Sequence, residues 1–266
     1  MSLENPFPIF YAVLVQQLEF VLHLLSVIYG ALPSFVSTLV SNPSLLEHPT
    51  QLRDRFFESV WLYLADGVDE ASAESKRDLI TPRANGIVLD IGAGLGHSAK
   101  YLDHTKVTSY YALEPNAAFH DQIRVNATLS GLAPSSISVI PHNAGDSEAI
   151  LASLGGQQVD TVLCILTLCG IPDAERALAD IVQNVLKPGG QVLFYEHVSC
   201  DVSRSVAWWQ SFWSPAWEFI VGCKLDKPSH KIIDNLPVKW KESETWGKKD
   251  EPAKIFWHQG GRYVKA

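Results

Sequence analysis

From Ile87 onward the chain alternates short β-branched runs with segments whose apolar positions recur at helical spacing. Ile87–Ile91, Val107–Leu113, Ser136–Ile140, Val159–Leu166 and Val192–His197 read as strands. Ser98–Leu102, Ala117–Leu129, Glu148–Leu154 and Ala174–Leu186 read as the helices between them. Strands separated by single helices need right-handed crossovers, so the pattern predicts an α/β fold with a doubly wound, mostly parallel sheet. After a turn at Leu186-Lys187-Pro188-Gly189-Gly190, a helix is predicted over Arg204–Phe219. Lys239–Thr245 and Arg262–Lys265 then supply two more strands and bring the sheet to seven. No internal repeat or low-complexity tract interrupts this order.

Ahead of the alternation lies a different pattern. Phe20 to Val40 is a 21-residue run without Asp, Glu, Lys or Arg, long enough to span a bilayer by length alone. Three features argue against a spanning helix: Pro33 lies mid-run, Gln16, Gln17 and Glu19 precede it, and no Lys or Arg occurs before Arg53. Without a basic n-region or a convincing cleavage site, the segment is also not read as a signal peptide. The expectation is two helices, Ile9–Gly30 and Ser34–Val40, that cap the core and touch a membrane surface through residues 9–40. A polar stretch, Asp66–Asp78, leads into the main domain.

Composition narrows the classes. A chain of 266 residues with 47% apolar and 19% charged residues is neither disordered nor collagenous. Lys+Arg 21 against Asp+Glu 29 leaves a net charge of −8, which argues against nucleic acid as a partner. The four cysteines, at 164, 169, 200 and 223, form no CxxC pair. They suit a reduced intracellular protein, and no metal site is expected from their spacing.

In a doubly wound sheet the ligand sits beyond the carboxyl ends of the strands. The first strand delivers VLDIGAGLGHS there, so Gly92, Gly94 and Gly96 make a strand-to-helix turn that can approach a ligand closely. The second ends at Leu113-Glu114-Pro115-Asn116, where a carboxylate can accept from both hydroxyls of an adenosine ribose. The same spacing also passes the filter for a nicotinamide cofactor, since Gly94–Ala99 fits G-x-G-x-x-A and Glu114 follows Gly94 by 20 residues. Asp90, one residue before the glycine turn, can orient the loop or a bound amino group. Gly145-Asp146 follows the third strand, where an acidic group can reach the adenine amine, and Asp160 opens the fourth. Together with the Leu186–Gly190 turn, these residues resemble class I S-adenosylmethionine-dependent methyltransferases over about residues 80–200.

The carboxyl-terminal part narrows the resemblance. Tyr195-Glu196-His197-Val198, WWQSFWSPAW at 208–217, Gly222-Cys223-Lys224-Leu225, Trp257-His258 and Gly261–Lys265 stand in order, with Cys164-Ile165-Leu166-Thr167-Leu168-Cys169 further back. This pattern is similar to the small methyltransferases that include animal endoplasmic-reticulum alkyl-thiol S-methyltransferases and fungal polyketide-cluster O-methyltransferases. Arg55 to Ile80 and Tyr111–Asn116 lean toward the fungal branch. His97 and the polar stretch Lys248–Lys254 depart from the pattern.

The resemblance implies a cap over residues 1–80 and a methyltransferase domain over 81–266. It implies S-adenosyl-L-methionine as cofactor, held by Asp90, Gly92, Gly94, Gly96, Glu114, Pro115, Asn116, Gly145, Asp146, Thr167 and Leu168. The acceptor it implies is an enolic or phenolic hydroxyl of a small apolar polyketide-like metabolite. A thiol is the alternative, and so is a cyclase or isomerase that binds the cofactor without transfer. A homodimer and a cytoplasmic location peripheral to the endoplasmic reticulum membrane go with it. His197 and His258 are the candidate catalytic residues; His197 reads equally as a local loop-stabilising histidine. His142 points to the adenine side, Trp208, Trp209, Trp213 and Trp217 to core or an acceptor wall, and Cys164 and Cys169 to packing around the fourth strand. Methyl transfer from a sulfonium is an in-line displacement, so an obvious catalytic dyad is not required.

Overall fold

A computed structural model describes residues 7–247 and 252–266, with side chains from residue 15 onward. The polar stretch Lys248–Lys254 thus lies mostly outside the described residues. The five predicted runs form β1 (Gly86–Ile91), β2 (Val107–Leu113), β3 (Ile137–Ile140), β4 (Val159–Ile165) and β5 (Leu186–His197), all parallel. β6 (Trp240–Gly247) and β7 (His258–Lys265) finish a seven-stranded sheet in the order β3-β2-β1-β4-β5-β7-β6, with β7 antiparallel to both neighbours. β1, β4 and β5 are buried on both faces, as strands sandwiched between helix layers must be. β6 is almost wholly exposed and carries Lys241, Glu242 and Glu244, charges that blunt an open edge.

The helices are α1 (Phe7–Ser41), α2 (Pro49–Arg83), α3 (His120–Leu129), α4 (Ser147–Ser153), α5 (Ala174–Asp180), α6 (Arg204–Val221) and α7 (Ser229–Asp234). The predicted helix Ser98–Leu102 is a 3-10 helix, His97–Tyr101, and the predicted helix Ala174–Leu186 is α5 continued by a π-helical turn, Ile181–Val185. The Leu186–Gly190 turn is a bulge within β5: Val159 pairs with Leu186 and Thr161 already pairs with Gln191.

Two expectations about the amino-terminal part need correction. α1 is one 35-residue helix that runs through Pro33, not two. Proline removes one backbone hydrogen bond, but Pro33 is exposed, while Val27 and Ala31 before it are fully buried and hold the helix against its neighbours. The segment from residue 49 is the long helix α2, not a polar lead-in. Its buried positions, among them Val60, Leu64, Ala65, Ser72, Leu79 and Ile80, recur at helical spacing and include charged ones. The charges are tolerated because Asp69 is paired: it binds Lys76 Nζ at 3.0 Å, Tyr101 Oη at 3.0 Å and also Lys100 Nζ. α1, α2 and α6 share one apolar cluster, with Phe20, Val27 and Ala31 packed among Val60, Leu64, Trp217 and Val221.

Candidate active site

The carboxyl ends of β1, β2, β4 and β5 open into a cavity of about 1050 Å³, roofed by residues of α1, α2 and α6. Its base is the glycine turn. Gly94 has φ +56°, and a Cβ there would lie 2.8 Å from Trp61 Nε1, so any side chain would be strained and would fill the cavity. At Gly92 a Cβ would strike Thr167 Oγ1. Gly96 does not line the cavity; it faces α3, where a Cβ would come within 3.0 Å of Ile123 Cα.

Glu114, at the end of β2, is buried and stands across the turn from Gly94. Its Oε2 accepts from the Gly94 N–H and its Oε1 from the Asn116 N–H, both at 2.9 Å. A carboxylate has about four acceptor sites, so two stay available on the cavity side. Burial raises the Glu114 pKa above the usual range, opposed by its two backbone donors. Pro115 lines the cavity beside it. Asn116 does not; its side chain caps the next turn by accepting from the Ala118 N–H at 3.1 Å.

Asp90 lies behind the turn, fully buried and away from the cavity lining, and accepts from Tyr110 Oη at 2.7 Å. Burial pushes its pKa up to about 6 despite hydrogen bonds from Tyr110 and Ser98. At the end of β3, His142, Asn143, Ala144 and Gly145 face the cavity. Asp146 turns away and caps α4 by accepting from the Ala149 N–H at 3.1 Å. His97, unusual in its loop, bonds Asp66 of α2 at 2.9 Å and ties that helix to the glycine turn.

The turn after β4 is strained. Leu166 has φ +54°, rare outside glycine. Glu196, which the Tyr195–Val198 motif includes without a role, holds it there: Oε1 accepts from the Thr167 N–H at 2.9 Å and the Leu168 N–H at 3.0 Å. Burial pushes the Glu196 pKa up to about 7, with the two backbone donors pulling the other way. Thr167 lines the cavity, whereas Leu168 packs into the core beneath.

His197 ends β5 and pairs in register with His258 of β7. Their rings meet edge to face at 6.5 Å, and His258 stacks on Tyr195 at 5.2 Å. All three line the cavity, beside Cys169 and Cys223. Cys169 is therefore at the site and not simply core packing, unlike Cys164, which is fully buried within the sheet. The Cys223 sulfur and burial push the Cys169 thiol well above its ordinary value, with His197 pulling the other way. Trp217 forms wall and core together, Trp213 donates to Gln17 Oε1 at 2.8 Å, and Trp208 is exposed. Phe57, Trp61 and His23 close the roof; the helical spacing of α2 was the signal that could have found the first two.

The site thus offers a glycine cradle that a Cβ would fill, a buried carboxylate with two acceptor sites left, and an adjoining apolar chamber with imidazoles and thiols. Sheet order and site together define a class I methyltransferase. A family model described as "Methyltransferase domain" matches residues 56–224, and the chain belongs to that family. It is 29% identical over 175 residues to human thiol S-methyltransferase TMT1A, covering 62% of this chain and 68% of the relative. It is 36% identical over 85 residues to rat thiol S-methyltransferase TMT1B, covering 32% of this chain and 34% of that relative. Among solved structures, an O-methyltransferase family protein from Burkholderia thailandensis has TM-score 0.57 at 15% identity, covering 84% of this chain and 62% of that one. At such identity the likeness shows the fold alone.

The protein is an S-adenosylmethionine-dependent methyltransferase. The N-methyltransferase NodS from Bradyrhizobium japonicum, seen with S-adenosyl-L-homocysteine, has the same fold at TM-score 0.50 and 12% identity, covering 74% of this chain and 86% of that one. The nicotinamide alternative left open by the glycine spacing falls away. The curated relatives are mammalian, so the lean toward the fungal branch finds no counterpart among them.

Proposed function

We propose that the protein transfers the methyl group to the sulfur of a small apolar thiol. The carrying observation is the acceptor side of the cavity: imidazoles and thiols of His197, His258, Cys169 and Cys223 set within a predominantly apolar wall that includes Trp61 and Trp217. The cofactor supplies a methyl already activated on a sulfonium. The chain's residues bind and orient. Glu114 would accept from the ribose hydroxyls, Gly94 would permit close approach of the cofactor, and the Phe57–Trp61–Trp217 wall would exclude water from the reacting groups. A thiol with pKa near ~8.5 is partly ionised at neutral pH and needs no strong base. The names of the curated relatives support the same acceptor.

The second reading is an enolic or phenolic hydroxyl of a polyketide-like molecule. It is favoured by one observation: His197 Nε2 lies 2.7 Å from the Lys224 carbonyl, so in the neutral ring Nδ1 carries the lone pair that can take a hydroxyl proton. Full-length protein given matched aryl thiol and phenol separates the readings. A kcat/KM at least tenfold higher for the thiol supports sulfur, the reverse ratio supports oxygen, and a rearranged product without added mass supports a cyclase.

We also propose peripheral contact with a membrane surface through α1. Val15–Ser41 is apolar and long enough to cross a bilayer. Its inner face is nevertheless committed: Gln17 binds Trp213, His23 stacks on Trp217 at 5.9 Å, and both His23 and Ser26 line the cavity. The outer face leaves Leu18, Leu22, Leu25, Tyr29, Val36 and Val40 exposed, spaced by three and four residues. Carbonate should release the protein from membranes. Resistance to carbonate would mean a spanning helix, and a carbonate-insensitive dimer in solution would mean that a second copy covers this face.

A further inference from the structure

Three side chains far apart in the sequence meet on the acceptor side of the cavity. Cys169 follows β4, His197 ends β5 and Cys223 follows α6, and their ligand atoms all lie within 4.8 Å of one another. The backbone sets this spacing: the Lys224 N–H donates to the Cys169 carbonyl at 3.4 Å, which binds the two loops together. His197 Nε2 lies 2.7 Å from the Lys224 carbonyl oxygen. A carbonyl only accepts, so Nε2 carries a hydrogen, and in the neutral ring that a metal ligand requires Nδ1 presents the lone pair. Cys223 Sγ stands 3.8 Å from Nδ1 and 3.6 Å from Nε2. An imidazole with one nitrogen tied to a backbone carbonyl has the tautomer of a metal-bound histidine. Cys223 Sγ, nearly equidistant from the two ring nitrogens, lies beside the ring, so a turn of the Cys223 side chain would bring the sulfur to a metal on Nδ1.

We propose that Cys169, His197 and Cys223 bind a thiophilic divalent cation, zinc, with the fourth coordination position open to the acceptor cavity. Two sulfurs and one imidazole are the donor set zinc prefers, and three protein ligands with one open position is the pattern of catalytic sites rather than structural ones. Two thiolates balance the dication, so the buried site carries no net charge. Binding releases the Cys169 and Cys223 thiol protons to solvent. All three ligands face the cavity, so the open position faces the acceptor.

The role of that position rests on the thiol reading above. The acceptor thiol loses its proton to solvent and its sulfur takes the open position. That sulfur then forms a bond to the methyl carbon as the sulfonium–methyl bond breaks, its electron pair returning to the sulfur of S-adenosylhomocysteine. The neutral thioether product is a weaker ligand than a thiolate and leaves. Sequence spacing gave no sign of this site because none of the three residues neighbours another along the chain.

The test uses the full-length chain, first with zinc and then with cobalt, and reads metal content, cobalt absorption and calorimetric binding of S-adenosylhomocysteine. The expected result is one ion per chain and a sulfur-to-cobalt charge-transfer band. Cys223→Ser and Cys169→Ser should each weaken cobalt binding about tenfold or more while leaving S-adenosylhomocysteine binding intact, which shows that the variants are folded. A small thiol should shift the cobalt spectrum where the matching phenol does not. Absence of the charge-transfer band, or unchanged cobalt affinity in folded Cys223→Ser, overturns the site. Undiminished thiol methylation in metal-stripped protein overturns it while leaving sulfur as the acceptor. A protein that binds the metal but methylates only hydroxyls keeps the site and overturns the thiol reading.

Discussion

Glu114→Gln keeps the shape of the side chain and changes only what it can accept. The carboxylate serves the Gly94 and Asn116 N–H groups at 2.9 Å each, and on the proposed reading its remaining acceptor sites, about two, would take the ribose hydroxyls. Glutamine has one accepting oxygen and an amide that only donates. It can therefore satisfy one backbone N–H and one hydroxyl, and it sets its amide against the other N–H. Losing a charge-assisted hydrogen bond costs about 1.5–3 kcal/mol, or about 10- to 150-fold in affinity. Calorimetry with S-adenosylhomocysteine at pH 7.5 measures this, with thermal unfolding as a check on folding. Because burial raises the Glu114 pKa, affinity in the wild type should begin to fall at a higher pH than for an exposed glutamate as the side chain protonates. The glutamine variant has no such dependence from this residue. A folded variant with wild-type affinity refutes the assignment of Glu114 to the ribose.

Further outcomes follow from the same geometry. Gly94→Val should abolish cofactor binding, because its Cβ would meet Trp61 Nε1, and its left-handed backbone should lower stability by about 1–3 kcal/mol; an equal collapse of folding and binding would make the glycine structural. Asp90, with its folded-state pKa raised to about 6 from 3.8, contributes stability that is present below pH ~4 and lost as pH rises through 6, a loss of about 3 kcal/mol by pH 8. Asp90→Asn should therefore unfold at a higher temperature than wild type at pH 8 and show a flatter pH profile. It should also bind S-adenosylhomocysteine far better than Glu114→Gln; equal losses would mean that Asp90 reaches the cofactor. Leu22→Glu with Leu25→Glu, on the exposed face of α1, should leave the melting temperature nearly unchanged and sharply reduce vesicle co-sedimentation. Phe20→Ala, on the buried face, should cost about 3–5 kcal/mol of stability.

How far the sequence could be read depended on whether the deciding interaction was local. The parallel strands were legible because β-branched runs declare themselves, and the place of Glu114 in the cavity lining was legible because it directly follows the second strand. Asp90, Asn116 and Asp146 occupy similar strand-end positions, yet they hold Tyr110, the turn at Ala118 and the first turn of α4. Short polar side chains near helix starts cap as readily as they bind. α2 was missed because Asp69 and Lys76 look solvated in sequence and are buried as partners in the fold. Pro33 was read as a break because local rules disfavour it, and tertiary packing of Val27 and Ala31 overrides them. Glu196 and the Cys169–His197–Cys223 cluster depend on contacts between loops that only the fold brings together.

The most direct test is a reaction with cofactor carrying a carbon-13 methyl, followed by NMR in the presence of a small aryl thiol and its matching phenol. The methyl carbon reports its own neighbour, sulfonium, thioether or ether, without reliance on rate. The proposed thiol reading predicts that the label leaves the sulfonium and appears as the thioether methyl of the thiol, and that Gly94→Val leaves it on the sulfonium. Label appearing first as the ether methyl of the phenol would contradict the choice of sulfur. Label that stays on the sulfonium in wild-type protein with both acceptors present would contradict transfer to an acceptor of this kind.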